Sequence, residues 1–285
     1  MILIDYSAIS ISAIVAQKVD VEENMIRHMI LNSIRMYVHK YSRKYGQVVL
    51  ACDSSTWRRD YYPQYKANRR KNRSESDTDW DEMFRIINLV LDEIRENMPY
   101  KVLHIRGCEA DDIIGTLAEY TQEFGKNEPV MIISGDKDFI QLQQYSNIAQ
   151  YSPVQKKAVS HENPKMYLLE HIFKGDSSDG VPNVLSHDDT FINGDRQSPV
   201  TAKKLNNWIQ NINDLESVMS TEEFKNYARN RKLIDLTQTP KELKETIISQ
   251  FESQTVAANS KVLSYFISKR CKQLIGCIEE FYPCQ

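Results

Sequence analysis

Two carboxylates stand two residues apart in VMIISGDKDF, Val130 to Phe139, where an apolar run of strand type stops at Gly135 and delivers Asp136 and Asp138. Carboxylates this close repel unless one is protonated or a cation lies between them. At a separation near 4 Å and an effective dielectric of about 20, the repulsion is on the order of 4 kcal/mol. The same ending recurs along the chain. MILIDYS stops at Asp5 and VVLACDS at Asp53, KVLHIRGCEADD leads through Gly107 to Glu109, Asp111 and Asp112, and KGDSSDGVPNV supplies Asp176 and Asp179. Several of these nine acids close a predicted strand, where open α/β sheets place their ligand crevice. Oxygen donors of this kind suit a hard divalent ion such as magnesium.

A second feature is cationic. Trp57 to Arg73, WRRDYYPQYKANRRKNR, holds seven Lys and Arg against one Asp, a local net charge of +6 inside a chain whose total is -3. Tyr61, Tyr62 and Tyr65 interleave with the cations, a pattern that suits base stacking plus phosphate neutralisation better than a merely solvated charge run. Arg58, Arg59, Tyr65, Lys66, Arg69 and Arg70 are the candidate nucleic-acid contacts in this segment.

The elements that must position these groups follow from periodicity. Glu22 to Tyr45 carries apolar residues at helical spacing and ends at Gly46, and Val48 to Cys52 reads as a buried strand. Strand, helix and strand in that order predict a parallel crossover. Asp79 to Asn97 is an amphipathic helix broken by Pro99, followed by a strand at Lys101 to Ile105. In the helix that EADD opens, Glu109 and Asp112 share a face while Asp111 points elsewhere, and only their common place at the helix start would bring all three near one pocket. Val130 to Ser134 and Ile148 to Tyr151 complete the predicted strands. Beyond Pro153 the pattern is helical: Pro164 to Phe173, Thr201 to Ile212, Thr221 to Ile234, Pro240 to Phe251 and Val256 to Phe281, with Ser186 to Ser198 read as a polar surface insertion.

With 285 residues, 41% hydrophobic and 26% charged, the chain has the composition of a soluble globular protein. No run reaches membrane-span length, and the first residues form a strand pattern, not a leader, so a cytoplasmic protein is expected, in a host cell if viral. Five cysteines with no metal spacing, at Cys52, Cys108, Cys271, Cys277 and Cys284, read as free thiols, and the six scattered histidines give a zinc site little support.

ILID at Asp5, ACD at Asp53, YKANR at Tyr65 to Arg69, EADD at Glu109, GDKDF at Gly135 and GDSSDGVPNV at Gly175 occur in that order. Together they resemble the structure-specific 5′-nuclease, or flap endonuclease, family, and within it the ribonuclease H branch of T-even-like phages. The resemblance implies an α/β fold, a mostly parallel central sheet flanked by helices (PIN/5′-nuclease-like), with a helical C-terminal DNA-binding domain. Residues 1–160 would be the nuclease core, including a basic arch at about 54–78, and 161–285 a helical domain with a helix-hairpin-helix-like duplex-binding region. It also implies two Mg2+, with Mn2+ as a substitute, held directly or through water by Asp5, Asp53, Glu109, Asp111, Asp112, Asp136, Asp138, Asp176 and Asp179. Lys66 and Arg69 match the family's catalytic arch residues that address the scissile phosphate, and Tyr65 an aromatic neighbour of that phosphate.

One element departs from the family pattern. A Gly-hydrophobic-Gly-x-Lys run normally follows the GD-x-x-D motif and holds a monovalent ion against a phosphate, whereas here GVPNV leads into the polar stretch and then SPVTAKKL. The ion-mediated contact is left open, and Lys203 and Lys204 become the candidate duplex-holding residues. The resemblance implies 5′-to-3′ exonuclease and flap endonuclease action on RNA–DNA hybrids and duplex or flapped DNA, as in primer removal during replication. A single-strand DNA-binding protein or sliding clamp is the implied partner, no membrane is involved, and a monomer is the default. The rivals are a branched-DNA-binding protein that does not cut and a magnesium-dependent phosphomonoesterase.

Overall fold

The computed structural model describes residues 1–15, 22–67 and 79–284. Its elements fall into two compact units, Met1–Ser55, Asp79–Ser160 and Pro240–Gln285 in the first, Thr56–Thr78 and His161–Thr239 in the second.

The first unit is built on a six-stranded sheet of β1 (Ile2–Asp5), β2 (Val48–Cys52), β3 (Lys101–His104), β4 (Val130–Ile133), β5 (Ile148–Ser152) and β6 (Lys157–Val159). The spatial order is β3-β2-β1-β4-β5-β6, parallel except for β6. Residues in β1, β2 and β4 are buried along their whole length, which requires helices on both faces and explains why these strands read as continuous apolar runs. On one face, α1 (Tyr6–Val15) and α2 (Glu23–Tyr45) cover β1, and α4 (Trp80–Asn97) covers β3, α3 (Trp57–Tyr61) belonging to the second unit. On the other face α5 (Ala110–Tyr120) lies on β1 and β2. Gly46, at φ 72°, ends α2 with its N–H on the Ser42 carbonyl at 2.7 Å, and Asp79 caps α4 by accepting from the Glu82 N–H at 3.0 Å.

A buried ionic cluster ties three helices of this unit together. Arg27 of α2, 1% exposed, donates to both oxygens of Glu93 in α4 at 2.7 and 2.9 Å. Tyr265 of α11 (Ser260–Ser268) donates to Glu93 at 2.8 Å, and Lys269 lies 2.6 Å from the same carboxylate. Between these segments in sequence, α10 (Lys241–Ser253) packs on α5 and β3. The Gln254 side chain then acts as a partner for the β3 backbone, accepting from the Val102 N–H at 2.7 Å and donating to the Val102 carbonyl at 3.0 Å.

The second unit is helical, with α6 (Pro164–Lys174), α7 (Thr190–Asn193), α8 (Ala202–Gln210) and α9 (Thr221–Ile234); α6, α8 and α9 gather around Phe173, Trp208, Leu215, Tyr227 and Leu233. Three polar residues of α9 are buried and hold the loop after α6. Asn230 donates to the Ile172 and Pro182 carbonyls at 2.9 and 2.8 Å, Arg229 to Pro182 at 2.8 Å, and Asn226 to Val184 at 3.1 Å.

Two sequence expectations change. The helix α1 and strand β6 were not anticipated, because YSAISISAIV lacks a polar stripe and KAV is too short to show a period. Residues 256–281 are not one helix: α11 stops where Arg270 takes φ 57° and the Cys271 N–H turns back to the Phe266 carbonyl, and α12 (Lys272–Ile275) and a 3-10 turn at Ile278–Phe281 follow. Within the span 161–285, Pro240–Gln285 packs with the sheet unit, so the compact units do not divide at a single point in the chain. Ser186 to Ser198 lies largely at the surface but is tied down, with Ser186 and Thr190 buried and Asn183 bonding to Gln197 and Ser198 at 2.7 and 2.8 Å. No helix among the described residues is long and apolar enough to cross a membrane.

Candidate active site

Parallel strands end on the same side of a sheet, and the order 3-2-1-4 makes the gap between β1 and β4 the point where the winding reverses. Asp5 is the last residue of β1 there, 7% exposed. Its carboxylate accepts the Ala8 N–H at 2.9 Å and the Ser134 hydroxyl at 3.1 Å, across the β1–β4 boundary. The same hydroxyl oxygen accepts the Asp136 N–H at 3.1 Å, and Asp136 caps the next turn by accepting the Asp138 N–H at 3.0 Å. Gln150 of β5 fixes this corner by donating to the Ser134 and Asp136 carbonyls at 3.0 and 2.5 Å.

On the other side of β1, Asp53 follows β2 and accepts the Ala110 N–H at 2.9 Å, so it sits at the amino end of α5, where helix dipole and unpaired N–H groups favour an anion. Glu109 and Asp112 are buried in the first turn of that helix, and the Asp112 carboxylate accepts the Glu109 N–H at 2.9 Å. Asp53 and Asp136 face solvent while Asp5 forms the floor. Burial, then the neighbouring charges of Asp53 and Asp136, push the Asp5 carboxyl up to about 7, with its hydrogen bonds opposing only part of that. Ionisation of a buried acid beside two more is opposed from both causes, and a bound cation would relieve that opposition.

The second unit carries Asp176 and Asp179 on one tight turn. The Asp176 carboxylate accepts the Ser178 N–H at 2.8 Å, the Ser178 hydroxyl at 2.7 Å and the Asp179 N–H at 3.3 Å. Burial opposes its ionisation, but these donors and His171, 3.6 Å away, hold it below the usual carboxylate range. Asp179 receives the Tyr65 hydroxyl at 2.8 Å, with the Lys66 ammonium at 3.4 Å.

Residues 1–168 match the model of the 5′-3′ exonuclease N-terminal resolvase-like domain, and residues 162–281 that of the T4 RNase H C-terminal domain. The chain belongs to the 5′-3′ exonuclease family. It is 35% identical to the ribonuclease H of Enterobacteria phage T4 over 98% of this chain and 95% of that one. A 5′-3′ exonuclease of Buchnera aphidicola is 31% identical over 67% of this chain and 64% of that one. The fold is that of the phage T5 5′-exonuclease crystallised with zinc (TM-score 0.60, 16% identity, 88% of this chain and 98% of that one). It is also that of the phage T5 flap endonuclease in a pseudo-enzyme–product complex with DNA and metal ions (TM-score 0.58, 17% identity, 98% of each chain).

Of the nine acids expected from the family motifs, seven lie in the sheet unit and two, Asp176 and Asp179, in the helical unit. Direct bonds or charge interactions link Asp5, Asp53 and Asp136, and Asp138 and the Glu109–Asp112 pair adjoin them in sequence or on α5. Arg69 and Arg70 lie outside the described residues.

The basic segment divides differently from its sequence reading. Arg58 is 2% exposed, donates to the Leu233 carbonyl at 2.9 Å and lies 4.8 Å from the Trp57 ring, so it packs the helical unit in place of meeting nucleic acid. Tyr62 and Tyr65 are 4% and 3% exposed, their hydroxyls committed to the Asp188 carbonyl and Asp179, which removes them as stacking platforms and leaves Tyr61 as the exposed ring of the three. Arg59 is exposed but donates to the Tyr65 carbonyl at 3.3 Å. Lys203 and Lys204 are exposed in the first turn of α8, Lys204 pairing with Glu223 at 3.1 Å. Arg58→Ala is therefore expected to cost about 1.5–3 kcal/mol of stability while leaving the salt dependence of duplex binding unchanged; a shallower salt slope in a titration of the variant would return Arg58 to the interface.

Ser134 and Gln150 were missed altogether. The one sequence signal for Gln150 is an amide on the inward phase of a strand whose burial alternates, a position that demands hydrogen-bond partners.

Proposed function

We propose that Asp5, Asp53, Asp136 and Asp138, with Glu109, Asp111 and Asp112, hold magnesium, manganese serving as a substitute, for hydrolysis of phosphodiester bonds in RNA–DNA hybrids and in duplex or flapped DNA. The observation that carries this reading is the buried Asp5 beside Asp53 and Asp136, an all-oxygen donor set gathered at the carboxyl ends of β1, β2 and β4. Such a set fits a hard divalent ion. Two such cations, when bound, lower the pKa of an attacking water and offset charge growing on the leaving oxygen. The chain's own contribution is preorganisation: Ser134 and Gln150 fix Asp5 and Asp136, and the Ala110 N–H fixes Asp53. Cleavage on this reading proceeds 5′ to 3′ and leaves a 5′-phosphate and a 3′-hydroxyl, as RNA-primer removal during replication requires. Lys66 takes the phosphate-neutralising role, and Asp176 and Asp179 keep, as proposals, the ligand role implied by their motif.

The test is hydrolysis of an end-labelled RNA–DNA hybrid and a 5′-flapped DNA with magnesium titrated and a chelator control. Magnesium-dependent 5′ products are expected from both; tight flap binding with no product would instead make this a branched-DNA-binding protein. Lys66→Ala is expected to lower the turnover on the flap by about 10²-fold with duplex affinity nearly unchanged. Equal losses in a gel-shift and a cleavage assay would move Lys66 from catalysis to docking.

A further inference from the structure

Two motifs that look independent in sequence, YKANR and GDSSDG, meet within the helical unit. The Lys66 N–H donates to the Asp179 carbonyl at 2.7 Å, the Lys66 ammonium stands 3.4 Å from the Asp179 carboxylate, and the Tyr65 hydroxyl donates to the same carboxylate oxygen at 2.8 Å. Lys66 adopts φ 57°, a left-handed conformation that costs a non-glycine residue about 1–2 kcal/mol. It persists only where surrounding bonds over-determine it, and Asp179 supplies two of them here. The ammonium is not on a loose tether, since its side chain is 11% exposed.

The anchor is itself rigid. Gly175 at φ 70° admits no side chain, because a Cβ there would stand 2.4 Å from the Val181 carbonyl oxygen. Asp176 and Val181 exchange backbone bonds of 2.8 and 2.7 Å across the turn, and the Asp176 carboxylate fills its interior. Behind it, Arg229 and Asn230 clamp the Pro182 carbonyl at 2.8 Å each. Gly180, at φ 73°, has the cationic segment directly over it: a Cβ would lie 3.2 Å from the Gln64 carbonyl oxygen and 3.7 Å from the Lys66 nitrogen.

We propose that Asp179 and Gly180 are positioning residues for Lys66: the Asp176–Val181 turn is a cradle that sets where this ammonium is presented, with Tyr65 as the second tie. The inference rests on the reading that Lys66 serves cleavage, but the cradle itself can be measured apart from it. The experiment compares wild type, Gly180→Ala and Tyr65→Phe, none of which removes a carboxylate or the lysine. Lys66 acylation by acetic anhydride, followed by peptide mass spectrometry, reads the ammonium's protection directly; kcat, KM and the magnesium concentration for half activity are measured alongside. Both variants are expected to acylate Lys66 several-fold faster and to lose about tenfold in kcat, with KM and the magnesium requirement within twofold of wild type. Tyr65→Phe keeps the ring and so tests the tie even where Gly180→Ala fails to fold. Unchanged acylation in Tyr65→Phe overturns the cradle, as does a kcat loss that is fully restored by more magnesium. Faster acylation with wild-type kcat supports the cradle and overturns the catalytic reading of Lys66 instead.

Discussion

Asp5→Asn is expected to lower cleavage by on the order of 10³-fold and, at the same time, to make the metal-free protein more stable at neutral pH. The second half follows from linkage. The Asp5 carboxyl is raised from 3.8 to about 7 in the folded state, by burial first and by Asp53 and Asp136 next. Between those values the folded chain binds more protons than the unfolded one, so stability falls as pH rises toward 7 and the loss is complete above it. A rise of this size corresponds to on the order of 4 kcal/mol. Asparagine removes the charge and keeps an acceptor for the Ala8 N–H, while the Ser134 hydroxyl can rotate to accept from the new amide. Thermal melts in chelator at pH 5 and pH 8 read the difference. Wild type is expected to lose stability between the two more steeply than Asp5→Asn, and added magnesium should raise the melting temperature of wild type alone. A variant that melts lower than wild type at pH 8 in chelator, or that still cuts, would dissolve the link between burial, charge and metal.

The largest purely structural effect is expected at Glu93. Glu93→Ala takes its bidentate partner from the Arg27 guanidinium, 1% exposed, leaving Glu23 at 2.7 Å and Asn24 at 2.8 Å, and should cost about 3 kcal/mol. Removing both charges together, as in Arg27→Met with Glu93→Leu, should cost much less, because the buried ions leave as a pair and the partners left behind, Glu23 and Lys269, reach solvent. Burial resists ionisation of Glu93, but Arg27, Lys269 and Tyr265 outweigh it and hold the carboxyl below the usual range. The stability it supplies is thus present above the ordinary glutamate range and lost as pH falls through the lowered value. Urea titrations of the single and double variants decide the matter; a double variant as unstable as Glu93→Ala would mean that packing, not charge, is what the cluster provides.

The placement of several acids at strand ends was readable because a doubly covered parallel sheet writes itself as apolar runs, and the first acid after each run marks the carboxyl end of a strand. Asp5, Asp53 and Asp136 were legible on that ground alone. The supports were not: Ser134 and Gln150 are ordinary polar letters until a strand register brings them to the same corner. Nor could the run WRRDYY reveal that Arg58 turns inward and Tyr61 outward, since a five-residue helix is too short for its face to show as a period. Asn226, Arg229 and Asn230 look like a solvated stripe on α9 until the loop at Pro182 and Val184 claims their donors.

Gln254 has a consequence for the newborn chain. The strand β3 ends the sheet on one side, and its outward amide and carbonyl at Val102 find their partner in a side chain 152 positions later. Until the ribosome has delivered that glutamine and the helix before it, Val102 offers a strand margin open to annealing with a neighbouring polypeptide. Messages truncated just upstream of this position should therefore yield inclusion bodies, not a trimmed enzyme.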